Sequence, residues 1–229
     1  MTGSPAVEGQ HGGVDPAAAV EIAWLPLGAG GHVVRRCGRM YEALSARREG
    51  RSARDLYHAA LVVVLDGVRT VVEQAPAWGS SAADRGVAVE GPVGLRWLGR
   101  WRAFRYELRR WPGGVIPDLD EAVESPVVVS SDPVVAARLL DLVPRSPALT
   151  WGRDELGLGQ MWNSNAAVAW LLARAGADVD AVQPPHGGRA PGWGAGLELA
   201  RRQRDAADPD DGADVGAGDV GAGDAAGES

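Results

Sequence analysis

The stretch YHAALVVVLDGVRTVVEQAP, residues 57–76, decides the fold of this chain because its pattern is that of a β-hairpin. Two runs rich in Val and Leu flank Asp66-Gly67, a dipeptide that favours the two-residue type I′ turn between antiparallel strands. With this turn, Leu65 pairs with Val68 and the register of the remaining pairs follows. The pattern therefore predicts an antiparallel strand pair in which His58 lies opposite Ala75.

This register places His58 and Glu73 on one face of the hairpin, because Glu73 precedes Ala75 by two residues. Diagonal neighbours of this kind have Cβ atoms roughly 7–8 Å apart, which a glutamate side chain can span. A carboxylate that contacts an imidazole sets its tautomer and stabilises the imidazolium, as in a catalytic triad. A structural hydrogen bond between the two strands is the alternative interpretation.

The stretch MWNSNAAVAWLLARAG, residues 161–176, predicts a helix from Asn163 to Ala175 that ends at Gly176. Its first residues are polar, and the rest is apolar. Ser164 shares a helix face with Val168 and Leu171, and we expect this face to pack on the sheet.

Other segments predict a mixture of strands and helices. The run WRAFRYELRRW, residues 101–111, alternates as a half-buried strand does, with Arg105, Glu107 and Arg109 on the wet face. A helix capped by Ser131 or Asp132 is predicted for SSDPVVAARLLDLVP. We expect a strand or short helix at GRMYEALSARR and a last short helix at residues 197–204. The predicted fold class is α+β, a single domain with an antiparallel sheet packed against helices.

Composition bounds the domain organisation and the partners. Of the 229 residues, we expect 1–19 and 205–229 to form disordered tails and 20–204 to form the folded body. The second tail is acidic and rich in Gly, Ala and Asp. The net charge of -7 comes from that acidic tail, which argues against a strong general affinity of the whole chain for nucleic acid or anionic membranes. No apolar run is long enough for a membrane span and no secretory signal is evident, so we expect a cytoplasmic protein.

The order of these elements resembles the circularly permuted branch of the NlpC/P60 papain-like superfamily, which includes lecithin retinol acyltransferase-like proteins. YHAALVVVLDGVRTVVEQAP is similar to that branch's histidine strand, turn and second strand, and WNSNAAVAWLL is similar to the start of its nucleophile helix. The resemblance implies a permuted papain-like fold in which His58 is the base, Glu73 the third polar residue and Ser164 the nucleophile. Ser164 stands where the family has cysteine.

The resemblance implies a hydrolase or acyltransferase that acts on an amide or ester bond of a small-molecule, lipid or peptide substrate, without a cofactor. Three interpretations of Ser164 remain open: a serine nucleophile, the relic of a cysteine in a catalytically inactive papain-like binding or scaffold protein, and a helix cap. The residues around it that could form the pocket or donate to an oxyanion are Trp162, Asn163 and Asn165.

Further candidates come from the residues themselves. Cys37, with three arginines nearby, is an alternative nucleophile or a buried inert thiol; as the only cysteine it excludes a cysteine-rich zinc site. Asp154 and Glu155 lack partners at metal-ligand spacing, so no metal is expected. His32 and His186 could line a site or be ordinary loop residues. LRWLGRWRAFRYELRRW, residues 95–111, interleaves arginines with aromatic residues, so a nucleic-acid-associated protein is a second alternative function.

Overall fold

The computed structural model describes residues 17–27, 40, 42–77, 86–116, 119–124 and 126–207. Its centre is a six-stranded antiparallel sheet with the strand order β4-β5-β3-β2-β1-β6. The strands are β1 (Ala18–Pro26), β2 (Tyr57–Leu65), β3 (Val68–Pro76), β4 (Val87–Pro92), β5 (Arg105–Pro112) and β6 (Val127–Ser130). Together with the helices, this sheet confirms the predicted α+β class.

Among the described residues, four helices accompany the sheet. They are α1 (residues 42–48), α2 (Pro133–Leu142), α3 (Ser164–Ala175) and α4 (Trp193–Ala207). The structure thus resolves the strand-or-helix alternative at GRMYEALSARR in favour of a helix. α2 begins as predicted: Pro133 is its first residue, and the Asp132 carboxylate accepts the Val134 N–H at 2.8 Å.

The hairpin forms with its predicted turn. Asp66 and Gly67 have positive φ values of 51° and 75°, as a type I′ turn requires. The β2–β3 ladder runs from Leu65 opposite Val68 to Leu61 opposite Val72, in the predicted register. The ladder ends there, so the extension of this register to His58 and Ala75 is wrong. β3 continues instead along β5 as far as Pro76.

The arginine- and tryptophan-rich run is only partly a strand. β5 begins at Arg105, and the residues before it form two 3-10 turns, Arg96–Arg100 and Arg102–Phe104. The predicted wet face of β5 is also wrong, because Glu107 and Arg109 are buried and lie 2.8 Å apart as an ion pair. Alternation alone cannot tell a solvated charge from a buried one whose partner sits two residues away on the same face.

Helix α3 lies at the centre of the domain and packs against β2, α2 and α4. Nearly all its residues are buried, so the predicted single packing stripe is too narrow a description. Its C-terminal end is as predicted, since Gly176 ends the helix with φ 92°. Its start differs by one residue: the Asn163 side chain is the cap and accepts the Ala166 N–H at 3.1 Å, so the interpretation of Ser164 as the helix cap is wrong.

Helix α4 begins at Trp193, earlier than the predicted residue 197. The glycines before residue 197 are typical of a loop, but here they allow the helix to pack closely against its neighbour. A Cβ atom on Gly196 would lie 2.0 Å from the Ala166 carbonyl oxygen of α3. α4 also ends later than predicted, at Ala207, and β1 begins at Ala18, so the ordered elements extend past both predicted boundaries. The rest of the predicted tails lies outside the described residues.

Candidate active site

The structure brings together two of the residues that the sequence predicts for the site. The Nδ1 atom of His58, near the start of β2, lies 2.6 Å from the Oγ atom of Ser164, the first residue of α3. The two residues are 106 positions apart in the chain. This distance is within the range of a short hydrogen bond and of direct proton transfer between the two groups.

The contact forms where the edge of β2 is left open by β3. The Asn165 Oδ1 atom accepts the Ala59 N–H at 2.8 Å, and the Asn165 Nδ2 group donates to the Tyr57 carbonyl at 2.9 Å. These two backbone groups flank His58. The Asn165 side chain thus provides the hydrogen bonds that a neighbouring strand would otherwise make to them. Asn165 therefore fastens the start of α3 to β2 at the position of the histidine.

The side chain of His58 projects away from the main core. Tyr57 and Ala59, on either side of it, belong to the large apolar cluster between the sheet and the helices. Since side chains alternate along a strand, His58 points toward the other face of the sheet. Ser164 reaches it past the open edge of β2, which explains how a residue of a fully packed helix contacts this histidine.

A second segment, residues 189–192, closes the same corner. The Arg189 carbonyl accepts the Tyr57 N–H at 2.8 Å, and the Pro191 carbonyl accepts from the Asn163 and Asn165 side chains at 2.8 and 3.1 Å. Gly192 follows with φ 88°, and a Cβ atom there would lie 2.6 Å from Asn163 Oδ1. No signal in the sequence pointed to this segment, because its partners come from α3 and β2.

The two asparagines therefore have structural roles, and their side-chain donors are engaged with backbone carbonyls. Backbone N–H groups are further candidate donors for an oxyanion. The first N–H groups of an α-helix lack partners within the helix, which is the case at Ser164 and Asn165. The helix dipole adds positive potential at the same point.

Burial governs the electrostatics of the pair. Burial lowers the pKa of His58 to about 4, so the imidazole is neutral at pH 7. A neutral ring with its proton on Nε2 can accept the serine hydroxyl proton at Nδ1. Ser164 is only 4% exposed, so water and reagents reach its hydroxyl group poorly.

Glu73 lies on the part of β3 that pairs with β5. Its Cα partner is Arg109 of β5, and the β2–β3 ladder that would set it beside His58 ends one residue earlier, at Val72. The role of Glu73 as the orienting carboxylate stays a prediction.

A cavity of about 670 Å³ opens at the same end of β2. Leu56 and Tyr57, the residues before His58, line it, whereas His58 and Ser164 do not. His186 also lines it, with φ 52° and its Nδ1 atom 3.6 Å from Glu124. The cavity is thus a neighbour of the His58–Ser164 pair and not its immediate surroundings.

The other candidates that the structure describes do not join the pair. Trp162 is 2% exposed and packs in the core, and Asp154 accepts the N–H groups of Leu158 and Gly159 to close its own loop. Within the described ranges, no group of three or more His, Cys, Asp or Glu side chains is placed to hold a metal ion. Cys37 and His32 lie outside the described residues.

Comparisons with known proteins identify no relative. No family model, no curated protein and no solved structure matches this chain. In the part of the chain that the structure describes, every helix is too short or too polar to cross a bilayer. The function is therefore inferred from the geometry of His58, Ser164 and their surroundings.

Proposed function

We propose that the protein is a hydrolase or acyltransferase that acts on an amide or ester bond and uses Ser164 as its nucleophile. The observation that carries this proposal is the 2.6 Å distance between His58 Nδ1 and Ser164 Oγ at the first turn of α3. The same proposal includes a permuted papain-like arrangement. Two observations support it: the sheet is antiparallel, and the strand that carries His58 precedes the helix that carries Ser164 in the chain.

The reaction would run in two steps. Ser164 Oγ attacks the substrate carbonyl carbon while His58 Nδ1 takes the hydroxyl proton, and the carbonyl oxygen becomes an oxyanion. The N–H groups of Ser164 and Asn165 stabilise that charge. His58 then protonates the departing amine or alcohol, which leaves an ester on Ser164. Water or an acceptor alcohol or amine, deprotonated by His58, attacks this ester, and His58 returns the proton to Ser164 Oγ as the ester bond breaks.

Serine places a stricter demand on this geometry than the cysteine of the similar family. A thiol at a helix N-terminus beside an imidazole is readily ionised, whereas a serine hydroxyl must lose its proton in concert with attack. Direct contact between the hydroxyl and an unprotonated imidazole meets that demand. The low pKa of His58 keeps the imidazole unprotonated but makes the imidazolium costly to form, so the rate depends on what stabilises that cation, the role predicted for Glu73.

A catalytically inactive binding or scaffold protein is the second candidate. The observation in its favour is the burial of Ser164, whose hydroxyl would need a local opening before a substrate carbonyl could reach it. In that case the pair of Ser164 and His58 would hold α3 against β2, and the cavity beside Tyr57 would bind a ligand without turnover.

The two candidates are separated by covalent labelling of the full-length protein with a fluorophosphonate, followed by mass spectrometry, and by turnover of p-nitrophenyl esters of increasing chain length. The enzyme proposal predicts one phosphonylated peptide containing Ser164, and loss of labelling and turnover in Ser164→Ala and His58→Ala. Ser146→Ala is the matched control, since Ser146 is also a buried serine and lies outside the site. Turnover that survives Ser164→Ala would overturn the proposal, and a folded protein that is neither labelled nor active would favour the binding role.

A further inference from the structure

The connection between β4 and β5 exposes an unusual amount of aromatic surface. Residues 95–104, here called the aromatic–arginine loop, consist mainly of the two 3-10 turns. Four large apolar side chains stand on it with 42–56% of their surface exposed: Leu95, Trp97, Trp101 and Phe104. Soluble proteins rarely gather exposed side chains of this size without a partner for them.

The loop holds its aromatic side chains in place before any partner arrives. The Arg100 guanidinium lies 4.4 Å from the ring centroid of Trp101 and 5.5 Å from that of Trp97. The two indole rings are 5.7 Å apart and meet edge to face at 74°. Because these contacts already restrict the rotamers of the three side chains, docking onto a partner causes little further loss of conformational entropy.

The loop is also cationic. Residues 95–104 contain three arginines and no acidic residue, and Arg105 follows at the start of β5. Arg102 and Arg105 form ion pairs with Glu107 and Glu90, each at 3.1 Å, so much of their charge is compensated. Arg96, which forms no ion pair among the described residues, lines a depression of about 320 Å³ beneath the loop. Arg96 and Arg100 therefore present net positive charge beside exposed indole and aliphatic groups.

We infer that the aromatic–arginine loop docks onto a lipid surface that carries anionic headgroups. Indole rings prefer the boundary between hydrocarbon and water, Leu and Phe side chains gain from entering the acyl region, and arginines pair with headgroup phosphates. The loop combines these three chemistries on about ten residues at one end of the sheet. This inference is independent of the proposed catalysis.

A single-stranded nucleic acid fits the same surface less well. Base stacking needs open ring faces, whereas Arg100 covers one face of this pair and the two rings stand edge to face. A strand also needs a continuous basic track. β5 does not continue such a track from Arg105, because the next arginine, Arg109, is buried with Glu107.

The test is co-sedimentation of the full-length protein with vesicles made of equal parts phosphatidylglycerol and phosphatidylcholine, and with pure phosphatidylcholine vesicles. We expect binding to the anionic vesicles that weakens as salt is added. The double change Arg96→Gln, Arg100→Gln should weaken it about thirtyfold, since each surface cation contributes about 1 kcal/mol. Trp97→Ser with Trp101→Ser should weaken it at least about tenfold by removing the interfacial anchors.

The matched control is Arg47→Gln with Arg48→Gln, which removes the same charge from exposed positions of α1 and should leave binding within about twofold. Circular dichroism verifies that each variant is folded. Brominated lipids should quench tryptophan fluorescence in the wild type and not after the Trp97 and Trp101 changes. Three results would overturn the inference: no binding to anionic vesicles, equal binding by loop and control variants, or loop-dependent binding only to a single-stranded oligonucleotide or to a second copy of the chain.

Discussion

The side chain of Asn165 accepts the backbone N–H of Ala59 at 2.8 Å, and so binds the residue after Ser164 to the residue after His58. The same side chain donates to the Tyr57 carbonyl on the other side of His58. The distance between His58 and Ser164 is therefore set by a neighbouring amide and not by the two residues alone. This makes Asn165 a positioning residue for the pair.

Replacing this amide should destabilise the protein and separate the pair. Asn165→Ala leaves a buried donor and a buried acceptor of β2 without partners, and we expect a loss of about 2–4 kcal/mol in the free energy of unfolding. Urea unfolding measures the loss. Gln203→Ala, which removes the single hydrogen bond to Trp170 Nε1 at 2.8 Å, is the comparison and should cost about 1 kcal/mol. Equal losses of unfolding free energy in the two variants would contradict the role of Asn165 as a positioning residue.

The lowered pKa of His58 makes stability depend on pH. The unfolded chain binds a proton to this residue below about 6.5, whereas the folded chain resists protonation until pH 4. Stability from this source is therefore complete above about pH 6.5 and declines as the pH falls toward 4, by at most about 3 kcal/mol.

The measurement is urea unfolding at a series of pH values, with His58→Gln as the variant that removes the titration. Carboxylates also titrate in the lower part of this range, so the informative quantity is the difference between wild type and variant. We expect that difference to change with pH between 6.5 and 4 and to stay constant above. His186→Gln, which replaces an exposed histidine, is the comparison variant. A pH-independent difference for His58→Gln would show that its pKa is ordinary.

Cysteine at position 164 should report directly on the site. In Ser164→Cys, with Cys37→Ala to remove the native thiol, the helix N-terminus and the contact with His58 favour the thiolate. We expect a thiol pKa below the ordinary value of about 8.5, and an increase when His58→Ala is added. Thiolate absorbance against pH measures it without a reagent having to reach the buried group. A pKa at or above about 8.5 that is indifferent to His58 would contradict the proposed pairing.

The packing of α4 on α3 should not tolerate a methyl group at Gly196. Its Cβ would lie 2.0 Å from the Ala166 carbonyl oxygen, which is backbone and cannot move aside, so Gly196→Ala should cost about 2–3 kcal/mol. Gly194→Ala on the same helix meets only the flexible end of Gln160 and should be neutral or stabilising by up to about 1 kcal/mol. Thermal unfolding compares the two variants, and similar melting temperatures would disprove the close approach.

Several local features could be predicted from the sequence because their causes lie within a few residues. Asp66-Gly67 sets the hairpin turn and its register, Pro133 with Asp132 starts α2, and Gly176 ends α3. Each depends on backbone conformation or on a hydrogen bond that a side chain makes to its own helix.

Other features depended on partners that are distant in the chain. The charges of Glu107 and Arg109 alternate like a solvated face, yet they are buried because they neutralise each other. The glycines before residue 197 look like a loop, yet Gly196 belongs to α4 because the backbone of α3 lies against it. In both cases local propensity was outweighed by tertiary packing.

The candidate site shows the same division. The sequence by itself determined that His58 lies on a strand of a hairpin and that Ser164 stands at the start of a helix, since these follow from turn and cap chemistry. Only the tertiary structure decided that the two meet, because β3 leaves β2 after Leu61 and Asn165 takes the backbone groups thus opened. The N–H and C=O groups at a strand edge need hydrogen-bond partners. The side-chain amide of Asn165, 106 residues after Ala59, provides them, and so brings Ser164 to His58.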